Sequence, residues 1–512
     1  MTELVIFHYH FLPGGVSSVV RSAVRALRQH APGIRRVTLV SGSAPKGGFP
    51  AQEPGVDVQV LPELGYREGP GPGPAEAAGQ AQALAAALLA RFGSRDAVWW
   101  AHNHHLGRNP VFTQALLSVA CSGRAQPLVL QIHDFPECGR YAGLARLRRT
   151  LTLPPYPVGP WVRYALVNRR DRDVLVEAGI PDAHAFLLEN PLETGAAAAA
   201  DPGLRETVRP GLGSRALVLY PVRCIRRKNV LEAALLCRLA SRPADLAVTL
   251  PGLSSGERGY SRTVEKAFRR GWAPGLFGAG AMLDGLGLQV GDLGRVSDLV
   301  VSSSVQEGFG YLFLNSLLWE RPLLARDLVV LDGVRGLFAG RPAFFYGRLL
   351  APLGAAARRR LRGAYRAEVR RLAGVLPAEA AGALEAETDR LFEGPAVEFS
   401  FLPAAAQAAV LRRAGGSAGL RRELRALNRE PLESMDRMLA APPASRGQDS
   451  GGQGVRAKLE ERFGPGSFAR SFTALCGSFG ESAGPSPDPA LVWERVIRRF
   501  ATIENVRLLL GN

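Results

Sequence analysis

The stretch Ser304–Pro322, SVQEGFGYLFLNSLLWERP, carries the sharpest chemical signal in the chain. An apolar run, SDLVVSSS (Ser297–Ser304), reads as a buried strand. It ends in a glycine-containing turn, and a helical pattern over Gly310–Glu320 follows. The amides of Gly308, Phe309 and Gly310 then open a helix without internal acceptors, and the helix dipole favours an anion in front of them. Such a turn can cradle a diphosphate. Glycine lets a ligand approach the backbone closely. Glu307 stands just before the turn, where a carboxylate can accept hydrogen bonds from sugar hydroxyls. Taken alone, the segment fits an ordinary strand-to-helix loop with a surface glutamate equally well.

A second group lies in PVRCIRRKN (Pro221–Asn229). Arg223 and Lys228 follow a predicted strand, and two fixed cations there could neutralise a departing diphosphate. Lys228 is one of only four lysines, so it is less easily ascribed to the arginine-rich composition. A third group is histidine-rich: His8 and His10 in FHYH, and His102, His104 and His105 in WWAHNHHLG. His-x-His on a strand puts both rings on one face, as a metal site requires, but no carboxylate with ligand spacing accompanies them. Sugar or acceptor contact suits the same residues. Asp171-x-Asp173 opens a predicted helix, where acidic residues suit the dipole, and reads as structural. Trp99 and Trp100 sit in an apolar run and read as core.

These residues need elements to position them. Strands are predicted at Leu4–His10, Val37–Ser41, Val56–Val60, Ala97–Asn103, Pro127–Asp134, Val162–Asn168 and Ala185–Asn190. Helices are predicted after Gly15 and over Glu76–Phe92. After a low-complexity stretch (Thr194–Gly203) and Pro210, Gly211 and Gly213, read as a linker, the alternation restarts with strands at Ala216–Val222, Leu246–Gly252 and Ser297–Ser304. Strands alternating with helices imply parallel sheets covered on both faces, with ligands beyond the carboxyl ends of the strands. The expected domains are 1–195, 214–340, a helical insertion or extension at 341–444, and C-terminal helices at 455–512 that pack back on the first domain. A flexible break is expected at Ser445–Gly454.

Composition sets limits. The chain has 512 residues, enough for two or three domains. No run of about 20 apolar residues spans a membrane, and the N-terminus lacks the features of a signal peptide. Five cysteines at no metal or disulfide spacing suggest reduced thiols in a cytoplasmic protein. The net charge of +17 comes almost wholly from arginine. Runs such as Arg358–Leu372 fit a solvated helix face, or peripheral contact with an anionic membrane or an acidic partner. A nucleic-acid partner is not expected.

Four features in order resemble the retaining GT-B glycosyltransferases of glycosyltransferase family 4. They are Gly14-Gly15-Val16 after the first strand, LQIHDF around His133, Arg223-x4-Lys228, and Glu307-Gly-Phe-Gly followed by a helix and Arg321-Pro322. They span roughly Leu4 to Asp327. The resemblance implies an α/β GT-B fold, two Rossmann-like doubly wound domains facing a cleft, with extra C-terminal helices. It also implies transfer of a hexosyl unit from a nucleotide sugar to a hydroxyl acceptor (a sugar, a glycerate-like or a lipid-linked one), with retained configuration and no metal or other cofactor. By the same resemblance Gly14 and Gly15 face donor phosphate and acceptor, and His133 lies at the reaction centre. Arg223 and Lys228 bind the leaving diphosphate, and Glu307 holds donor-sugar hydroxyls with the amides of Phe309 and Gly310 beside it. Asn190 matches an asparagine found before the second domain, and His102 joins the substrate contacts. The family's second motif glutamate, which holds the ribose, is replaced here by Asn315, an uncharged hydrogen-bonding group. Two other readings stay open: a non-catalytic GT-B scaffold that binds sugar or nucleotide, and a metal-dependent hydrolase built on the histidines.

Overall fold

The computed structural model describes residues 3–45, 55–69, 71–94, 96–195, 203–208, 210, 215–252, 254–441, 451–481 and 487–510. Most of the expected linker, 196–202 and 211–214, lies outside these residues. So does the first part of the expected break, while its remainder begins a helix, Gly451–Phe463.

The chain divides into two compact units. The first comprises Met1–Thr194, Leu372–Ala381 and Lys458–Thr502. The second comprises Gly195–Arg371, Gly382–Ala457 and Ile503–Asn512. The helices after residue 340 therefore form no body of their own.

In the first unit, seven strands form one parallel sheet: β1 (Glu3–His8), β2 (Arg36–Ser41), β3 (Val56–Val60), β4 (Ala97–His102), β5 (Leu128–Ile132), β6 (Val162–Leu166) and β7 (Ala185–Leu187). Their order is β3-β2-β1-β4-β5-β6-β7. Both faces are covered, so successive residues of β1 enter different cores. Val5 and Phe7 join Trp99, Phe112 and Tyr164 on one side. Leu4 and Ile6 join Val24, Leu27 and Trp100 on the other. The helix Gly15–His30 places Val20, Val24 and Leu27 on one stripe, and that stripe packs on the second core. Both cores are completed from the far end of the chain. Phe468 and Phe472, from the helix Pro465–Gly477, enter one; Val496 and Phe500, from the helix Pro489–Phe500, enter the other.

The last of these helices is fastened by a buried carboxylate. Glu137 accepts from Trp493 Nε1 at 2.9 Å and from Tyr156 Oη at 3.1 Å. Burial pushes its pKa up to about 7, although both hydrogen bonds and the Arg148 charge oppose the rise. Asp171 is structural too. It is buried against the Arg170 guanidinium and exchanges hydrogen bonds with Asn168, which caps the helix Arg169–Ala178.

In the second unit, six parallel strands run β10-β9-β8-β11-β12-β13: β8 (Ala216–Arg223), β9 (Ala244–Leu250), β10 (Gly275–Phe277), β11 (Leu299–Ser302), β12 (Leu323–Arg326) and β13 (Ala343–Tyr346). This sheet runs past residue 340, where the sequence suggested helices alone. A small antiparallel pair, β14 (Leu350–Pro352) and β15 (Ala396–Glu398), follows. The arginines of the helix Ala355–Arg371 are partly matched by acids. Arg366 pairs with Asp389, and Arg370 with Glu385 at 3.2 Å. Among the described residues no helix is long and apolar enough to cross a membrane.

A polar network runs through this unit's interior. Glu232, fully buried on the first turn of the helix Val230–Leu239, accepts from Arg326 Nε and Nη2 at 2.9 and 2.8 Å. It also accepts from Tyr346 Oη at 3.0 Å and Asn229 Nδ2 at 2.8 Å. Arg326 Nη1 donates to Glu398 at 2.8 Å, and Glu398 accepts again from Arg507 at 3.1 Å.

Two outcomes are expected. Replacing Arg326 with methionine strands the Glu232 carboxylate in a dry interior. Chemical denaturation should then show a loss of about 3–5 kcal/mol. Glu137 has a folded pKa above its ordinary value of 4.5, so the folded protein binds more protons than the unfolded one between that value and about 7. The stability this contributes is complete below the lower limit and is lost as pH rises through the upper. Glu137→Gln should therefore gain on the wild type by up to about 3 kcal/mol in melts between about pH 5 and about pH 8.

Candidate functional site

In each sheet the strand order reverses once, between β1 and β4 in the first unit and between β8 and β11 in the second. Crevices at such reversals are where open parallel sheets hold ligands. Most of the expected site residues lie at or beyond the carboxyl ends of these strands, with His133 after β5 and Asn190 after β7.

In the second unit, β8 ends at Arg223, and a short 3-10 turn (Arg226–Lys228) leads into the helix Val230–Leu239. Asn229 joins turn to helix in the left-handed region, φ 50°, which asparagine tolerates better than most residues. The turn is tied down from beneath. Tyr220 Oη donates to the Lys228 carbonyl at 2.8 Å, Ser303 Oγ donates to the Asn229 carbonyl at 3.0 Å, and Arg226 Nη2 donates to the Ser400 carbonyl at 2.5 Å. Held this way, Lys228 reaches the loop after β11. Its Nζ lies 2.5 Å from Glu307 Oε1, with both side chains largely buried. Burial alone would raise the Glu307 pKa; the charges of Lys228 and Arg227 outweigh it and hold the carboxyl below its ordinary value. Glu307 thus faces Lys228 as a carboxylate.

The loop continues through Gly308 and Phe309 to Gly310, which precedes the helix Tyr311–Leu318 with φ 86°. A Cβ on Gly310 would fall 2.6 Å from the Phe313 ring, so both backbone angle and space require glycine. Asn315 lies half-buried on the same helix. Arg223 is in the same unit but turns to Glu257, 3.7 Å away.

In the first unit, His8 closes β1 and His102 closes β4. Asn103 follows with φ 52°, and that conformation aims its side chain across the strand ends. Its Oδ1 accepts from the backbone amide of His133 at 2.8 Å, fixing the end of β5. His102 was expected among the substrate contacts. It is 1% exposed, its Nδ1 lies 2.9 Å from His133 Nε2, and the two rings stack at 5.3 Å. Its neighbour is His133 itself. Burial lowers the pKa of His133 to about 4 and that of His8 to about 3, so both are neutral at physiological pH. Gly14 is extended before the helix Gly15–His30. A Cβ at Gly14 would come no nearer than 3.8 Å to any neighbour, and one at Gly15 would meet nothing within 4 Å. Packing does not demand glycine at either position. Asn190 is buried beyond β7.

The histidines do not form one cluster. His104 Nε2 contacts the Pro155 carbonyl at 3.1 Å, and His105 packs edge-on against Phe135 and Tyr156, apart from the His8–His102–His133 group. Among the described residues no three His, Cys, Asp or Glu side chains are grouped to hold a metal.

The structure adds residues that the sequence did not single out. Asn103 positions His133, Tyr220 props the Lys228 turn, and Asn505, near the C-terminus, accepts from Gln306 Nε2 at 2.7 Å beside Glu307. An asparagine directly after a buried strand was a signal for the first. Nothing local marked Asn505.

No protein-family model matches the chain. It is 28% identical to the mannosylglucosyl-3-phosphoglycerate synthase of Petrotoga mobilis over 99% of both chains. Among solved structures, Anabaena Alr3699/HepE in complex with UDP superposes with a TM-score of 0.50 at 12% identity, covering 93% of this chain and 100% of that one. Sucrose-phosphate synthase from Thermosynechococcus elongatus gives 0.48 at 12% identity, covering 86% and 98%. The fold, two Rossmann-like parallel-sheet units, is that of the GT-B glycosyltransferases.

Proposed function

We propose that the chain is a retaining, metal-independent hexosyltransferase resembling glycosyltransferase family 4. The observation that carries this is the Lys228–Glu307 pair, set beside a left-handed glycine and a helix start at the reversal of the second sheet. In this reading the amides after Glu307, together with Lys228 and Arg223, take the charge of the departing diphosphate. Glu307 holds hydroxyls of the transferred sugar, and Asn315 offers its amide to the ribose. Gly14, Gly15, His133 and Asn190 serve the acceptor and the sugar from the first unit. Preorganised charge and hydrogen bonds are the main source of stabilisation when the leaving group is an anion.

The relative's name describes a product built on 3-phosphoglycerate. We extend that to the acceptor: a hydroxyl of a phosphoglycerate-linked sugar, whose negative charges suit a chain of net charge +17. A second reading rests on Asn315, which replaces a charged ribose contact with a neutral one. It makes the protein a scaffold that binds the nucleotide sugar without turnover.

Thermal shifts with UDP-, GDP- and ADP-sugars separate these readings from an unrelated function. A ligand at about 100 times its Kd stabilises by about 2.7 kcal/mol. One nucleotide sugar should give such a shift, unchanged by EDTA, and should then glycosylate glucosyl-3-phosphoglycerate with retained configuration, read by mass spectrometry and NMR. A shift without product would favour the scaffold; no shift with any donor would remove both readings. Within the transferase reading, Lys228→Ala and Glu307→Gln should each lower kcat about 10²–10³-fold. The two should differ in binding. Glu307→Gln should keep the shift given by the free nucleoside diphosphate while weakening that of the nucleotide sugar, and Lys228→Ala should weaken both.

A further inference from the structure

His8, His102 and His133 are joined by hydrogen bonds whose polarity can be worked out. A carbonyl oxygen only accepts, so the 3.2 Å contact between His8 Nδ1 and the His102 carbonyl places the His8 proton on Nδ1. Neutral His8 then carries a lone pair on Nε2. Between His102 Nδ1 and His133 Nε2, 2.9 Å apart, one nitrogen holds the proton. The remaining nitrogen of His102, Nε2, is buried with no hydrogen-bond partner among the described residues. A proton on Nε2 would make it a buried donor with nothing to accept from it, an arrangement that folded chains avoid more strictly than a bare acceptor. The His102 proton therefore belongs on Nδ1, where it is donated to His133 Nε2. Neutral His133 must then carry its own proton on Nδ1. Asp134, the acid next to His133, is itself paired with Arg140 at 2.8 Å.

We propose that His102 is a positioning residue that fixes His133 as the Nδ1–H tautomer, so that His133 offers a ligand a hydrogen-bond donor, and no base, while His8 offers an acceptor. His133 and His8 keep some exposure as residues, 8% and 5%, where His102 has 1%. A sugar hydroxyl can both donate and accept, so it can meet a neutral donor or a neutral acceptor of this kind. The match to a hydroxyl rests on the glycosyltransferase reading; the tautomer does not. Burial supports the neutral states, with His133 lowered to about 4 and His8 to about 3.

The test uses the full-length protein labelled with 15N-histidine, with His133 assigned by the signal lost in His133→Gln. Two-bond proton–nitrogen correlation spectra should show Nδ1 protonated and Nε2 unprotonated on His133 across about pH 6–8. A protonated Nε2, or a charged ring in that range, would overturn the proposal. His102→Phe keeps a ring but loses the donor. It should shift the His133 spectrum toward a mixture of the two tautomers and lower kcat/KM for transfer about tenfold, the worth of one hydrogen bond. An unchanged His133 tautomer in that variant would end the positioning role. The wild-type spectrum decides the assignment even if the variant does not fold. The expected spectra without any transfer activity would uphold the tautomer and reject the glycosyltransferase reading.

Discussion

A carboxylate with no access to water anchors the second unit. Glu232 sits on the first turn of a helix whose other inward residues are apolar, and there Arg326 meets it with two hydrogen bonds. The same carboxylate fastens Asn229, and Asn229 ends the turn that carries Lys228. A buried pair of this kind is a poor source of net stability but an effective constraint, because any rearrangement that separates the partners strands a charge. The constraint passes outward from Arg326 through Asn229 to Lys228, and so to Glu307. The reach of Lys228 is therefore set by strands and helix ends rather than by the loop that bears it.

The two groups of site residues use different electrostatics. In the second unit the groups are charged and matched, and burial strengthens their attraction. In the first unit burial keeps every histidine of the strand-end group neutral, and polarity is encoded by hydrogen-bond direction alone. The nucleotide sugar proposed as donor carries both chemistries, an anionic diphosphate and a neutral polyol. Solvation energies separate the two chemistries: charge is neutralised by fixed charge, and hydroxyls are read by dipoles.

Much of this architecture was legible because it depends on local patterns. The apolar runs at Leu4, Ala97, Ala216 and Leu299 read as buried parallel strands because helical patterns alternate with them, and Glu307, Arg223 and His102 lie at or just beyond their ends. The strands β10, β12 and β13 were not read from the sequence: each has only three or four residues and none continues into a longer apolar run of the kind that marked β11. Glu232 was a missed clue. A lone carboxylate in VLEAALLCRL implies a buried cation. The role of His102 was beyond sequence reasoning, because the register β4–β5 decides whether its ring meets a ligand or another histidine. The resemblance anticipated C-terminal helices joining the first unit, but nothing local marked Leu372–Ala381 as a further piece of it.

The first unit is assembled from three separate pieces of chain, and the helix that seals one of its cores contributes Phe468 and Phe472. During synthesis, the sheet that leaves the ribosome first has only the helix Gly15–His30 as cover on that face until nearly the whole chain has been made, while the second unit, most of which lies between the pieces, gains most of its own contacts earlier. The order of emergence is thus the reverse of the order of completion. An apolar sheet waiting for its cover is exposed to aggregation for the duration. Loss of the last few dozen residues would therefore act first on biogenesis, leaving an N-terminal half that is translated but never closed.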